Sequence, residues 1–237
     1  MADIKIISKK EYEQNNKKPK QEQVWDKIAE PWKTYVVKRI PIVEEFLENA
    51  RSKSKDLETL RIIDFGCGTG RNMIPSKEFS YWAFDFSSRQ LKQAEKYIKK
   101  NKIKAKLFKA SIDNLPDDFK DEMFDYGIFV ASLHCLETKE KRKEALKEFY
   151  RILKKGAEAL VSVWNSEDKR FKCVNNHGDI YMSWRQDRKP YMRYYYLYTK
   201  KEFLSLLQLV GFEILEFYES REHDRFSKKN WIVRVKK

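Results

Sequence analysis

Several common protein classes are excluded by what this 237-residue sequence has little of. Its three cysteines, Cys67, Cys135 and Cys173, are odd in number and far apart, so they can build neither a disulfide framework nor a Cys-x-x-Cys metal knuckle. No metal site is expected within the chain. No run approaches the roughly 18 consecutive apolar residues of a membrane span, and the opening Met1-Ala2-Asp3-Ile4-Lys5 lacks a signal-type apolar stretch. A cytoplasmic chain with no membrane partner is therefore expected. Acidic residues are in deficit, 36 against 50 lysines and arginines, which leaves a formal charge of +14. That excess attracts polyanions through long-range steering and counterion release; it equally fits a lysine-biased proteome.

What is present suits one α/β domain. With 41% apolar residues the chain can fill a core and enclose a sheet between two helix layers. Residues 1–21 read as a flexible or loosely docked basic arm, because Lys17-Lys18-Pro19-Lys20 breaks a helix, and the domain proper covers 22–237. Val24, Ile28, Val36, Val37, Ile40, Val43, Phe46 and Leu47 recur at helical spacing, with Pro31 and Pro41 at helix starts or breaks. Apolar runs at 60–65, 81–86, 105–108, 124–131 and 159–164 read as strands. They alternate with a serine-capped helix over 87–100 and a helix over 139–153 closed by Lys154-Lys155-Gly156. This order predicts a parallel sheet with helices on both faces. Over 165–198 the alternation lapses into a long, polar, aromatic connection, an insertion expected to bind substrate. A helix over 200–209 and strands over 212–217 and 231–235 complete the reading.

The first strand runs into Asp64-Phe65-Gly66-Cys67-Gly68-Thr69-Gly70, where a Cβ would prevent tight turning and close approach of the backbone to a ligand. A dinucleotide fingerprint would need its third glycine at position 71, which is Arg71, so the spacing argues against NAD or FAD. Asp85, nineteen residues beyond Gly66, ends the second strand, where a carboxylate can accept from both hydroxyls of a ribose. A glycine turn without a ligand is the bland alternative. Together these residues resemble motif I and the acidic loop of class I S-adenosylmethionine-dependent methyltransferases. The resemblance implies a Rossmann-like, mostly parallel seven-stranded sheet and S-adenosylmethionine as cofactor. It assigns Asp64 to the methionyl part, Gly66, Cys67, Gly68 and Gly70 to the loop beneath the cofactor, and Asp85 with Phe86 to the ribose. Ser111 and Ile112 fall beside the adenine, and Ala131 closes the third strand at the same crevice.

Further on, Ser132-Leu133-His134-Cys135-Leu136-Glu137, Val163-Trp164-Asn165-Ser166-Glu167, Arg193-Tyr194-Tyr195-Tyr196-Leu197-Tyr198 and Asn230-Trp231 follow in order. They resemble the tRNA wobble-uridine carboxymethyl methyltransferase family, which includes the methyltransferase domain fused to an AlkB-type hydroxylase. The likeness covers roughly 24–237, with departures at Cys135, Tyr196 and Met182-Ser183-Trp184. It implies methyl transfer to the carboxylate of 5-carboxymethyluridine in a tRNA anticodon stem-loop. It also implies a small zinc-binding activator protein that adds a strand at the sheet edge near Lys104-Ala105-Lys106-Leu107-Phe108, whose lysines read equally as protection against aggregation.

A carboxylate acceptor is ionised at neutral pH and needs no general base, so placement should dominate. Arg193 has the planar fork that clamps a carboxylate or phosphate, with Tyr194 beside it. His134 follows the third strand, where ligand crevices open, though a hydrogen-bonded structural histidine is an alternative. Arg39, beside Pro41, is the remaining candidate, with a surface role as its alternative. In the 165–198 insertion Lys169, Arg170, Lys172, Arg185, Arg188 and Lys189 interleave with Phe171, Tyr181, Trp184, Tyr191 and Tyr194–196 and Tyr198. Cations with rings suit an unstacked base, unless the tyrosines simply pack on the sheet. Methylation of a small metabolite or protein, and non-catalytic tRNA binding, are the competing functions.

Overall fold

Two sheets form, and the smaller one is built from segments that carry no regular strand pattern. The computed structural model describes residues 4–35, 38–54, 59–175, 178–186, 189–220 and 229–237. The chain enters as β1 (Ile6–Ser8), α1 (Lys9–Asn15), α2 (Gln21–Tyr35) and α3 (Pro41–Lys53). Then come β2 (Leu60–Phe65), β3 (Phe79–Asp85), α4 (Ser88–Asn101), β4 (Ala105–Lys109), β5 (Phe124–Val130), α5 (Lys139–Ile152) and β6 (Leu153–Trp164). It closes with β7 (Gly178–Gln186), β8 (Lys189–Leu197), α6 (Lys200–Val210), β9 (Glu213–Glu219) and β10 (Asn230–Lys236).

The large sheet has the order β4-β3-β2-β5-β6-β10-β9. Its first five strands are parallel, and β10 runs antiparallel to both neighbours. Strands covered on both faces must be apolar throughout, and Ile62, Ile63 and Phe65 of β2 are fully buried. On one face α5 and α6 pack over the sheet, where Phe149 of α5, Phe65 of β2 and Phe129 of β5 meet with ring centres 5.0–5.4 Å apart. On the other, Val43 and Leu47 of α3 and Leu91 and Ile98 of α4 close over Ile62, Tyr81 and Ile128. Local signals set the helix ends: Ser87 and Thr138 cap α4 and α5 through their side chains. Thr199 and Glu202 form a reciprocal capping box on α6, which stops at Gly211. This is the Rossmann-like architecture expected, and among the described residues no helix is long and apolar enough to cross a membrane.

Four expectations need correction. The N-terminal arm is docked along residues 6–15: Ile6 pairs with Met182 and Ser8 with Ile180, and Ile7 is buried against Tyr181, Met192 and Tyr194. An isoleucine-rich edge strand gains both backbone pairing and burial there, which outweighs the lysines around it. The described residues of the 165–198 insertion form regular structure rather than an irregular connection. After a short helical turn at Lys169–Val174, β7 and β8 pair antiparallel, and β1 completes a three-stranded sheet β1-β7-β8. Finally, Pro31 lies inside α2, and Lys154-Lys155-Gly156 belongs to β6, whose register against β5 shifts between Phe124 and Tyr126. Val36, Val37 and Arg188 lie outside the described residues.

Candidate active site

At the C-terminal ends of β2, β3 and β5 the strands diverge over a cavity of about 310 Å³, the crevice that ligands use in open α/β sheets. Its floor is the β2–α4 side of the sheet. Gly66, Cys67 and Gly68 line it. Gly66 has φ +73°, and a Cβ there would lie 2.4 Å from that of Ser132, so the loop can turn only with glycine. Gly68, at φ +53°, has no atom nearer than 3.9 Å to its missing Cβ and leaves the backbone open to a ligand. Asp85 lines the cavity at the end of β3. Its Oδ2 accepts from the Gly68 N–H and its Oδ1 from the Ser87 N–H, both at 2.9 Å. Burial pushes its carboxyl up to about 6 despite those backbone bonds. Phe86, Ser111, Ile112 and Ala131 line the same space, and Ala131 holds a positive φ of 57°.

Asp64 and Gly70 do not line the cavity. Asp64 lies beneath the loop, 1% exposed, with its Oδ2 unpartnered, and burial reinforced by the charge of Asp85 pushes it up to about 7. Gly70 packs under Ala94 of α4. The set fits an adenosyl donor: a loop without side-chain obstruction, a carboxylate at the strand end, and a buried acceptor left unpaired beneath.

The roof comes from α2, and the sequence reading placed none of its residues in the site. Lys20 and the α2 residues Gln21, Glu22, Trp25 and Trp32 all line the cavity. Two tryptophans seven apart on a polar helix share one face, a signal that could have been read. Asp26 fastens the helix over the donor end, where its Oδ1 accepts from the Ser87 Oγ–H at 2.6 Å and the Arg89 N–H at 3.0 Å. Gln21 fastens it to β8: its Nε2 donates to the Met192 carbonyl and its Oε1 accepts from the Tyr194 N–H.

None of the four candidates for chemistry lines the cavity itself, but one, Arg193, packs against two tryptophans that do. Arg193 is 4% exposed, and its guanidinium sits 5.2–6.0 Å from the ring centres of Trp25, Trp32, Trp184 and Tyr195. Its Nε is unpartnered, and no ion pair to it is found among the described residues. Trp25 and Trp32 both line the cavity and face the guanidinium. Tyr194 points the other way, as the neighbour of Arg193 on a strand must. Its buried hydroxyl accepts from Arg142 at 3.0 Å and donates to Asp179. Arg142 in turn lies 3.9 Å over the Tyr196 ring. His134 is 1% exposed and stacked on Trp164 at 5.1 Å in a column with Tyr195, and burial holds its imidazole down to about 3. It is a neutral packing residue rather than an acid or base. Arg39 is engaged with Tyr97 and Glu44, both at 3.0 Å, away from the cavity. Most rings of the insertion are core as well: Phe171, Tyr181, Tyr194, Tyr195 and Tyr198 are at most 2% exposed.

A family model described as a methyltransferase domain matches residues 62–156. The chain is 28% identical over 239 residues to the tRNA (carboxymethyluridine(34)-5-O)-methyltransferase of Schizosaccharomyces pombe, covering 91% of this chain and 95% of that one. It is 31% identical over 163 residues to a putative methyltransferase of Encephalitozoon cuniculi, covering 65% and 71%. In fold it is similar to a solved SAM-dependent methyltransferase of Methanosarcina mazei, with a TM-score of 0.63 over 85% of this chain and 99% of that one at 21% identity.

Proposed function

The chain belongs to the S-adenosylmethionine-dependent methyltransferase family, and on that premise we propose that it esterifies the carboxylate of 5-carboxymethyluridine at the wobble position of a tRNA anticodon. The observation that carries this reading is the aromatic cage around the buried Arg193 guanidinium, whose Nε is unpartnered and which lies behind the tryptophans that line the cavity. A buried cation without a carboxylate of its own is costly unless an anion visits it. Planar guanidinium matches a carboxylate through two parallel hydrogen bonds.

Within the site, Asp85 would hold the ribose hydroxyls, the 66–70 loop would pass beneath the donor, and Ile112 with Ser111 would flank its adenine. When bound, S-adenosylmethionine supplies an electrophilic methyl group on a sulfonium centre. Neither Cys135, pushed up to about 12 by burial, nor His134, held neutral by burial, is poised to take a proton. A substrate already ionised at pH 7 needs no base. Arg193 then orients the carboxylate, and the tryptophan walls keep water from the reacting atoms.

The anticodon stem-loop is drawn by the +14 charge, with Lys20 and Lys141 at the cavity. A cytoplasmic setting and a small zinc-binding activator belong to the same reading. β4 is supported as its docking edge, since among the described residues it pairs only with β3 and leaves one side of its backbone open. The test is nucleoside mass spectrometry of carboxymethyluridine-bearing tRNA incubated with donor, with and without activator. Arg193→Met should lower kcat/KM roughly 100-fold while donor affinity by calorimetry stays unchanged, the scale of losing a buried charged hydrogen-bond pair. Equal turnover by the variant, or methylation by the wild type of a substrate with no carboxylate, would overturn the reading.

A further inference from the structure

Because most tyrosines of the insertion are buried, few rings near Arg193 can receive a base from solvent. Three can. Tyr35, the last residue of α2, is 73% exposed, the most exposed large apolar side chain among the described residues. It meets the half-buried Trp184 of β7 at 5.4 Å and Trp32 at 5.9 Å, and Trp32 meets Trp184 at 5.4 Å. A contiguous aromatic patch at the surface marks a binding site more often than a solvated accident. This one is continuous with the site, because Trp32 lines the cavity and both tryptophans flank the Arg193 guanidinium.

We propose that Trp32, Tyr35 and Trp184 form the stacking platform for the everted pyrimidine, with Tyr35 as its outer face. This rests on the function proposed above. The chemistry of the acceptor fixes the position: a carboxylate joined to a pyrimidine ring through a single methylene cannot reach Arg193 unless the ring lies against the aromatics that flank it. Every base has a π face, so the rings hold the base without reading its edges, and Arg193 supplies the discrimination. Exposed Lys33 precedes Tyr35 on the same helix, and exposed Lys38 follows close behind, both available to backbone phosphate.

The experiment is steady-state methylation of a carboxymethyluridine-bearing anticodon stem-loop by Tyr35→Ala, Tyr35→Phe and Trp184→Leu, with donor binding measured in parallel. Tyr35 is so exposed that its removal leaves the core untouched, and Trp184→Leu probes the platform from β7 of the small sheet. Tyr35→Ala and Trp184→Leu should each raise KM for RNA about tenfold, in line with the loss of one stacked base. Tyr35→Phe should stay within twofold of wild type, since the ring and not the hydroxyl acts. Unchanged KM in both truncations, with the wild type turning over, overturns the platform alone. Absence of turnover by the wild type in the presence of the activator overturns the functional reading, and the platform with it. A Tyr35→Ala defect seen only when a protein partner is present assigns the patch to that partner and also overturns the platform.

Discussion

The two ends of the cavity are built by different means. The donor end is local: Gly66 and Gly68 follow β2 directly and Asp85 ends the adjacent parallel β3, and the loop is tied there by the Gly66 and Cys67 N–H groups on the Phe84 carbonyl and the Gly68 N–H on the Asp85 carboxylate. The acceptor end is assembled from parts distant in the chain, with Trp25 and Trp32 from α2, Trp184 from β7 and Arg193 from β8. A site held by the backbone of neighbouring strands tolerates variation elsewhere. One made of side chains from three elements depends on the ties between those elements. The donor end should therefore behave as a rigid receptor, and the acceptor end as a part that can be loosened separately.

The sharpest way to break that comparison is Asp85→Ala. It removes a carboxylate placed to accept two ribose hydroxyls and leaves the Gly68 and Ser87 N–H groups unpaired. Charge-assisted hydrogen bonds contribute about 1.5–3 kcal/mol each, so donor affinity should fall roughly a thousandfold. RNA affinity, measured by filter binding without donor, should stay within threefold. Parallel loss of both would show that the two ends are one unit.

Asp64 gives the next largest effect, on stability. Its carboxyl is pushed up to about 7 in the folded protein by burial first and by Asp85 second. A folded-state value above the unfolded one, near 3.9, means the native state holds the proton more tightly. The stabilisation is complete below pH 4 and is lost as pH rises through 7. Asp64→Asn cannot ionise, so in the absence of donor it should gain on the wild type by of order 3 kcal/mol between pH 5 and pH 8, read as a widening Tm difference. A Tm difference independent of pH would show that Asp64 is not the strained, buried acid described.

The same contrast explains how much could be read from the sequence. The donor end is contiguous, so Asp64, the glycine turn and Asp85 were visible as spacing, and eight of the ten residues expected at the cofactor line the cavity. The alternation of apolar runs likewise gave the parallel sheet. The acceptor end was legible only at Arg193. Strand alternation separates Arg193 from Tyr194, yet the hairpin itself was missed, because its tyrosines, tryptophan and methionines read as a polar aromatic loop. His134 drew attention as a titratable group at a strand end, where only its burial against Trp164 reveals a packing role. The tryptophan face of α2 was there to be read, but its place over the cavity was not, because the contacts of Gln21 and Trp25 with β8 span some 170 residues of sequence.

That tie gives the smallest effect and the finest test of separability. β8 is the edge of the small sheet, so its outward Met192 carbonyl and Tyr194 N–H meet no further strand among the described residues. The amide of Gln21, 8% exposed, stands in for a peptide group, donating to the first at 3.2 Å and accepting from the second at 2.9 Å. Gln21→Ala leaves both backbone groups unpaired in a buried place, at a cost of roughly 2 kcal/mol, or about 4–8 °C in Tm. Gln21→Glu keeps the acceptor but cannot donate, so its Tm should fall between the two. Donor affinity rests on the Asp26 ties and the glycine loop and should survive, whereas KM for RNA should rise as Trp25 and Trp32 lose their fixed distance from Arg193. If Gln21→Ala instead weakened donor and RNA alike, α2 would act as a single clamp over the whole cavity, and the division into a rigid end and a loosened end would fall.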